Sequence, residues 1–285
     1  VYESDLSKTL HQYLTVAAVR KAENEDDGYK MDITIHEQTD DNMVFTLGGV
    51  NVAYANTLRR LMMGEVPTMA IEDVKFFKND SVLYDEIIAH RLGLVVMKTD
   101  LDSYKMNEGD ERLESPQYEL VLSMEVEGPK TVYAKDLVSK DPAVQPVYPE
   151  TIIVKLLEGQ KLELEAKAIL GIGNQHSKWS PGNIWYTYEP VIQVKNKKPE
   201  DKDAFPPQIF TDKGEIDKKL INTPALVDAC VDVDPSVLAI NYDNTQFRFT
   251  VESYGALSAK DIVQQALAVF DGHIKNFEGV LKELK

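Results

Sequence analysis

The residues able to carry acid–base, nucleophilic or metal chemistry are few and scattered. Five histidines stand at positions 11, 36, 90, 176 and 273, without the spacing that would set two imidazoles on one helix face or bring one beside a nucleophile. Cys230 is the single cysteine, which excludes an internal disulfide and any CxxC-based zinc site. Asp85, Glu86 and Arg91 fall at the exposed positions of an amphipathic helical pattern, which explains them better than a catalytic carboxylate pair does. The tract Gly171-Ile172-Gly173-Asn174-Gln175-His176 begins like a dinucleotide-binding loop. Its sixth position is His, however, and no helix-forming segment follows, so that chemistry is not expected. The distinctive pair that remains is Arg59-Arg60.

These arginines sit in the stretch GVNVAYANTLRRLMMGE, Gly49 to Glu65, which reads as one helix with both ends marked. Asn51 is a suitable N-cap, Gly64 a stop, and Pro67 lies just beyond. At 100° per residue Tyr54, Ala55, Leu58, Leu61 and Met62 share an arc, while Asn56, Thr57 and Arg60 lie opposite and Arg59 near the border. The first arc suits a core. The second is either a solvated face or a docking surface.

Composition bounds the surroundings. The chain has 285 residues, enough for two modest domains, and 43% hydrophobic residues supply real cores. No apolar run approaches the ~18 residues of a membrane helix, and a basic region followed by an apolar block is missing at the start. A globular, cytoplasmic protein is expected. The formal net charge of -16 repels a phosphate backbone, so nucleic acid would be met only indirectly, through a partner.

In chain order, Leu6, Leu10, Tyr13, Leu14 and Ala17 recur at helical spacing, followed by the acidic run Glu23 to Asp27. This reads as a short helix and a linker, forming an arm that is loosely docked or disordered. Ile33 and Ile35, then Val44, Phe45 and Leu47, suggest two strands turning at Asp40-Asp41-Asn42. After the helix come a strand at Ile71 to Phe77, a helical stretch at Tyr84 to Leu92, and strands near Tyr118 to Val126 and Ile152 to Leu157. Pro142, Pro146 and Pro149 mark an extended loop. A strand at Ile184 to Val194 leads to a charged boundary at Lys195 to Lys202. A last strand, Gln246 to Ser253, precedes a long helix opened by Ser258 and Asp261, with Ile262, Ala266, Val269, Phe270, Ile274, Phe277, Leu281 and Leu284 at a 3.5 to 3.6 period. At 1.5 Å per residue this helix runs roughly 40 Å, too long for burial in its own small domain.

Several segments together resemble the α-like assembly subunits of archaeal and eukaryotic RNA polymerases, the archaeal members in particular. They are Asn56, Leu58-Arg59-Arg60, Glu65-Val66-Pro67, Ala70-Ile71, Val74, Asn79 with Ser81, and Asp85 through Gly93. His176-Ser177-Lys178-Trp179-Ser180-Pro181 is similar to the family's HAKW-x-P segment, with Ser177 in place of the usual Ala. The likeness covers about Met31 to Lys285. It implies an α+β fold with a discontinuous α-like dimerisation domain, an antiparallel sheet plus two helices, at 31–66, 184–198 and 241–285. An inserted mixed α/β domain would occupy 67–183, and a ferredoxin-like third domain 199–240. Residues 1–30 are an extension outside the family pattern.

The resemblance also implies a non-catalytic assembly subunit of DNA-dependent RNA polymerase. Tyr54, Leu58, Leu61, Met62, Ile262, Ala266, Val269, Phe270, Ile274, Phe277 and Leu281 would face a small α-like partner. Asn56, Arg59, Arg60, Lys178 and Trp179 would meet the large catalytic subunits, although Trp179 is equally well explained as core packing. Contacts with other small polymerase subunits are also implied. Some family members hold an iron–sulfur cluster on four cysteines in the third domain. Here only Cys230 is present, and Asp234-Pro235 stands where Cys-Pro is expected, so no cluster is predicted. Phe205, Ile209, Phe210, Ile216, Leu220, Leu226, Val227, Val231, Val233, Leu238 and Ile240 would form that region's core instead. The alternatives are a free-standing ferredoxin-like protein, which lacks its cysteines, and a nucleic-acid-binding protein, which the charge opposes.

Overall fold

The computed structural model describes residues 31–107, 115–221 and 223–283. The expected arm over residues 1–30 and the helix position of Leu284 lie outside these. Within them the chain is α+β, with antiparallel sheets and few helices.

The first sheet begins with β1 (Asp32–Gln38) and β2 (Asn42–Gly48), joined by a turn in which the Thr39 amide donates to the Asn42 carbonyl at 2.7 Å. Two strands from far along the chain, β9 (Gly182–Val194) and β10 (Leu238–Ser253), complete the order β1-β2-β10-β9. Met43, Phe45 and Leu47 alternate onto one face of β2, and Phe247, Phe249 and Val251 of β10 meet them there, all essentially without exposure. Helix α1 (Val52–Gly64) covers that face with Ala55, Leu58, Leu61 and Met62. The long α4 (Ala259–Glu283) lies beside it, burying Ile262, Val263, Ala266 and Leu267. Val263 and Leu267 widen the expected stripe, because a helix packed on both a sheet and a helix needs an apolar arc broader than one row.

The second sheet has the order β3-β8-β4-β6, from β3 (Thr68–Asn79), β4 (Glu119–Glu127), β6 (Val138–Ser139) and β8 (Lys161–Gly171). Strands β5 (Lys130–Tyr133) and β7 (Ile152–Leu156) form a separate pair, and helix α2 (Asp85–Gly93) inserts Ile88 and Leu92 into the same core. Strand β8, which pairs with both β3 and β4, is absent from the sequence reading. Its inward residues, Leu162, Leu164, Ala166, Ala168 and Leu170, alternate cleanly. Two are alanines flanking a lysine, a composition that is weak in β propensity and gains its strand only from the neighbours it pairs with.

A third cluster gathers Phe205, Ile209, Ile216, Ile221, Val227, Cys230, Val237 and Leu238 against Ile192 and Val194 of β9 and Ile240 of β10. Its regular structure is limited to α3 (Pro224–Asp228) and short 3-10 turns. The expected core is corrected at Val233, which is 38% exposed beside Asp232, where the backbone takes φ 57°, and at Leu220, which is half-buried and stands outside the cluster. Ile221, Cys230 and Val237 belong inside, and were missing from that expectation.

The first two cores meet where α1 ends. The Asn174 amide donates to the Gly64 carbonyl at 2.9 Å, and the Thr68 hydroxyl to the Trp179 carbonyl at 2.7 Å. A Cβ on Gly173 would run into the Met63 carbonyl oxygen, and one on Gly171 would enter the Trp179 ring. The two glycines that imitate a nucleotide loop are therefore packing glycines. Gly173→Ala should destabilise the chain by about 1–3 kcal/mol, the range for overpacking a close contact, read as a lowered midpoint in urea denaturation.

Candidate functional site

The geometry begins at the N-terminus of α1, where the Asn51 side-chain oxygen accepts the Tyr54 amide at 2.9 Å. This cap fixes the helix phase, and with it which residues face the sheet. Arg60 is exposed and makes no hydrogen bond or ion pair among the described residues. Arg59 folds back on its own helix, its guanidinium donating to the Asn56 side-chain oxygen at 3.0 and 3.3 Å and to the Met63 sulfur. That clamp holds the Arg59 plane against the helix, leaving Arg60 as the free cation of this face among the described residues.

Lys178 and Trp179 depart from the expected docking role. Trp179 is 6% exposed, and its indole N–H donates to the Ile169 carbonyl. Of the two readings open for it, core packing is the one its position allows, because a side chain with almost no accessible surface cannot contact another chain. The Lys178 ammonium donates to the Ile71 carbonyl at 2.9 Å, pairs with Glu72, and sits 4.3 Å from the Trp179 ring centroid. His176 completes this corner by accepting the Lys178 amide on Nδ1. These residues lock the end of the insert onto β3.

The apolar stripe also divides. Leu58, Leu61, Met62, Ile262 and Ala266 are at most 4% exposed and serve the chain's own core, so they are corrected out of the partner-facing set. Tyr54, Val269 and Phe270 are half-buried at the rim of that core, and Ile274 is half-buried one turn further along α4. Beyond them Phe277, Val280 and Leu281 are 65%, 56% and 46% exposed on the far half of α4. Tyr54 meets Phe270 edge-on, with ring centroids 5.8 Å apart, and burial pushes its phenol well above the usual tyrosine range. The two helices are tied further along by His273, whose Nε2 lies 3.0 Å from the Glu65 carboxylate.

A second exposed apolar group was missed in the sequence. Val82, Tyr84 and Ile87 protrude around the start of α2, with Val82 and Tyr84 at 82% and 80% exposure. Asn79 shapes the preceding turn, donating to the Leu83 carbonyl and the Asp85 carboxylate while accepting the Ser81 amide. The available signal was the apolar run Val82-Leu83-Tyr84 inside a polar turn, of which Leu83 packs on the core and its two neighbours are left outside.

Comparison with known proteins places this geometry. The family described as the RNA polymerase Rpb3/RpoA insert domain matches residues 71–184. A DNA-directed RNA polymerase subunit Rpo3 of Pyrococcus furiosus is 36% identical over 266 residues, covering 89% of this chain and 98% of that protein. The Rpo3 of Methanosphaera stadtmanae is 33% identical over 268 residues, covering 89% and 99%. The chain belongs to the Rpo3 family of DNA-directed RNA polymerase subunits. The Rpo3 of Methanosarcina acetivorans is likewise 36% identical, again over 89% of this chain and 99% of that protein.

The iron–sulfur cluster carried by some α-like subunits does not fit the third region of this chain. Cys230 is its one thiol, buried among apolar side chains that push its pKa up. Asp234, at the expected Cys-Pro position, is engaged by Ser236, whose hydroxyl and amide donate to its carboxylate at 2.6 and 2.9 Å and hold its pKa below the usual value. One thiolate cannot replace the cysteine set that such a cluster needs.

The two faces of α1 differ in what they contribute to stability, Leu61 being buried and Arg60 exposed. Arg60→Ala should leave unfolding free energy within about ±0.5 kcal/mol, whereas Leu61→Ala should cost about 2–5 kcal/mol, both measured by urea denaturation.

Proposed function

We propose that this chain is a non-catalytic platform on which DNA-dependent RNA polymerase assembles, pairing with a small α-like subunit and then docking the large catalytic subunits. The observation that carries the reading is the far half of α4, where Phe277, Val280 and Leu281 continue the apolar stripe past the end of the chain's own core. A solvated helix would not keep such a row, and burying it against a second chain supplies the hydrophobic drive for pairing. Tyr54, Val269, Phe270 and Ile274 form the near end of the same surface. Obligate interfaces bury more than the ~1,600 Å² of a standard one, and α4, about 37 Å long at 1.5 Å per residue, offers that length.

Asn56, Arg59 and Arg60 form the docking face for a large subunit, with Arg60 as the charge that sets register. Lys178 and Trp179 hold the insert behind it. Val82, Tyr84 and Ile87 offer a second surface to other polymerase subunits. In this reading the dimerisation domain is discontinuous, at 31–66, 184–198 and 241–285. The insert spans 67–183, and residues 199–240 keep the place of a ferredoxin-like domain without its cluster. The net charge of -16 leaves DNA contact to partners. Among the described residues no helix is long and apolar enough to cross a membrane, and the assembly is assigned to the cytoplasm.

Phe277→Asp should abolish co-elution with the small α-like subunit while leaving the isolated chain folded by circular dichroism. Co-elution at full occupancy would remove α4 from the interface. Protein purified anaerobically should contain no iron and show no absorbance near 400 nm. Stoichiometric iron with acid-labile sulfide would overturn the cluster-free assignment.

A further inference from the structure

A groove of about 540 Å³ opens between the start of α1, the middle of β10 and the middle of α4, with Met31, Val50, Tyr54, Phe270 and Ile274 on its walls. Its polar lining residues, Asn51, Asn244 and Thr245, are neutral, so an apolar occupant would bury no charge there. The Tyr54 hydroxyl at its edge is buried and has no hydrogen-bond partner among the described residues. The groove lies on the side of α1 and α4 read above as partner-facing. Met31, one of its walls, is also the residue to which the first 30 residues are joined.

Those residues carry an apolar row of the right kind. Leu6, Leu10, Tyr13, Leu14 and Ala17 fall on one face of a helical repeat, which would run about 18 Å over twelve residues. The connecting stretch from Val19 to Lys30 can span up to about 40 Å at ~3.3–3.6 Å per residue, ample to return the row to the groove beside Met31. Tethering at this length gives a local concentration on the order of millimolar, so a modest apolar contact would hold.

We propose that the Leu6 to Ala17 segment docks in cis into this groove and caps the partner-facing surface of the free chain until the small subunit displaces it. The docking stands on the groove and the tether. The capping rests on the reading of α1 and α4 as the pairing surface. Displacement would make pairing slower for the capped chain without weakening the pair once formed, because the arm occupies the surface only in the free state.

The test uses the full chain and its Leu10→Asp/Leu14→Asp variant, compared by hydrogen exchange and by association with the small α-like subunit. In the free wild-type chain, amides of α4 around Phe270 and Ile274 should exchange several-fold more slowly than in the variant, independently of protein concentration. Equal exchange in both chains would overturn the docking. Protection that grows with concentration would overturn it too, by assigning the groove to a second copy. The variant should associate with the small subunit several-fold faster, with an unchanged dissociation rate. Equal association rates, with the exchange difference present, would overturn the capping. Failure of both chains to bind the small subunit would instead reject the pairing function, and the exchange result would still decide the docking. As a control on folding, both chains should give the same urea midpoint for the second core.

Discussion

The structure depends on one long-range pairing, β2 with β10. Phe45 stands opposite Phe249 in that register, and their rings stack at 5.1 Å with an interplanar angle of 4°. The two residues are separated by most of the chain, so their contact closes a loop containing the whole insert and the third region. Closing a longer loop costs only slightly more entropy than closing a shorter one, which is why an insert can be accommodated between them. Once the pair is formed, Met43, Leu47, Phe247 and Val251 complete a face on which α1 and α4 can lie.

That sheet also decides how the other two regions are held. Strands β9 and β10 run past the first core and continue as a ribbon, with Leu238 opposite Val194 and Ile240 opposite Ile192, to become a wall of the third cluster. The third cluster has little regular structure of its own and draws its stability from this ribbon, so local opening should be easier there than in the first core. The insert is fastened at the other end of β9, where Trp179, Lys178 and the packing glycines join β8, β3 and the C-terminus of α1. The outer face of α1, with Arg60 exposed on it, is thereby held fixed relative to the sheet and to the insert.

The sequence by itself determined the local elements whose signals are chemical and short-range. Asn51 caps α1, Ser258 and Asp261 open α4 with bonds between their side chains and from the Asp261 amide to the Ser258 hydroxyl, and alternation marks β1, β2 and β9. The opposite faces of α1 were also legible, since Arg60 is exposed and Leu58 buried as helical phase dictates. Tertiary structure alone decided which apolar residues remain available. Ile262 and Phe277 belong to one stripe with one period, yet the first is buried on the sheet and the second projects beyond it, because the core ends part-way along α4. Trp179 was ambiguous in sequence, since an indole suits a core corner or an interface, and Lys178 was read as an interface residue; β3 and β8 hold both in a corner of the chain's own fold. Strand β8 lay hidden because alanine carries little intrinsic preference for a strand, and its two neighbours supply the pairing that makes it one.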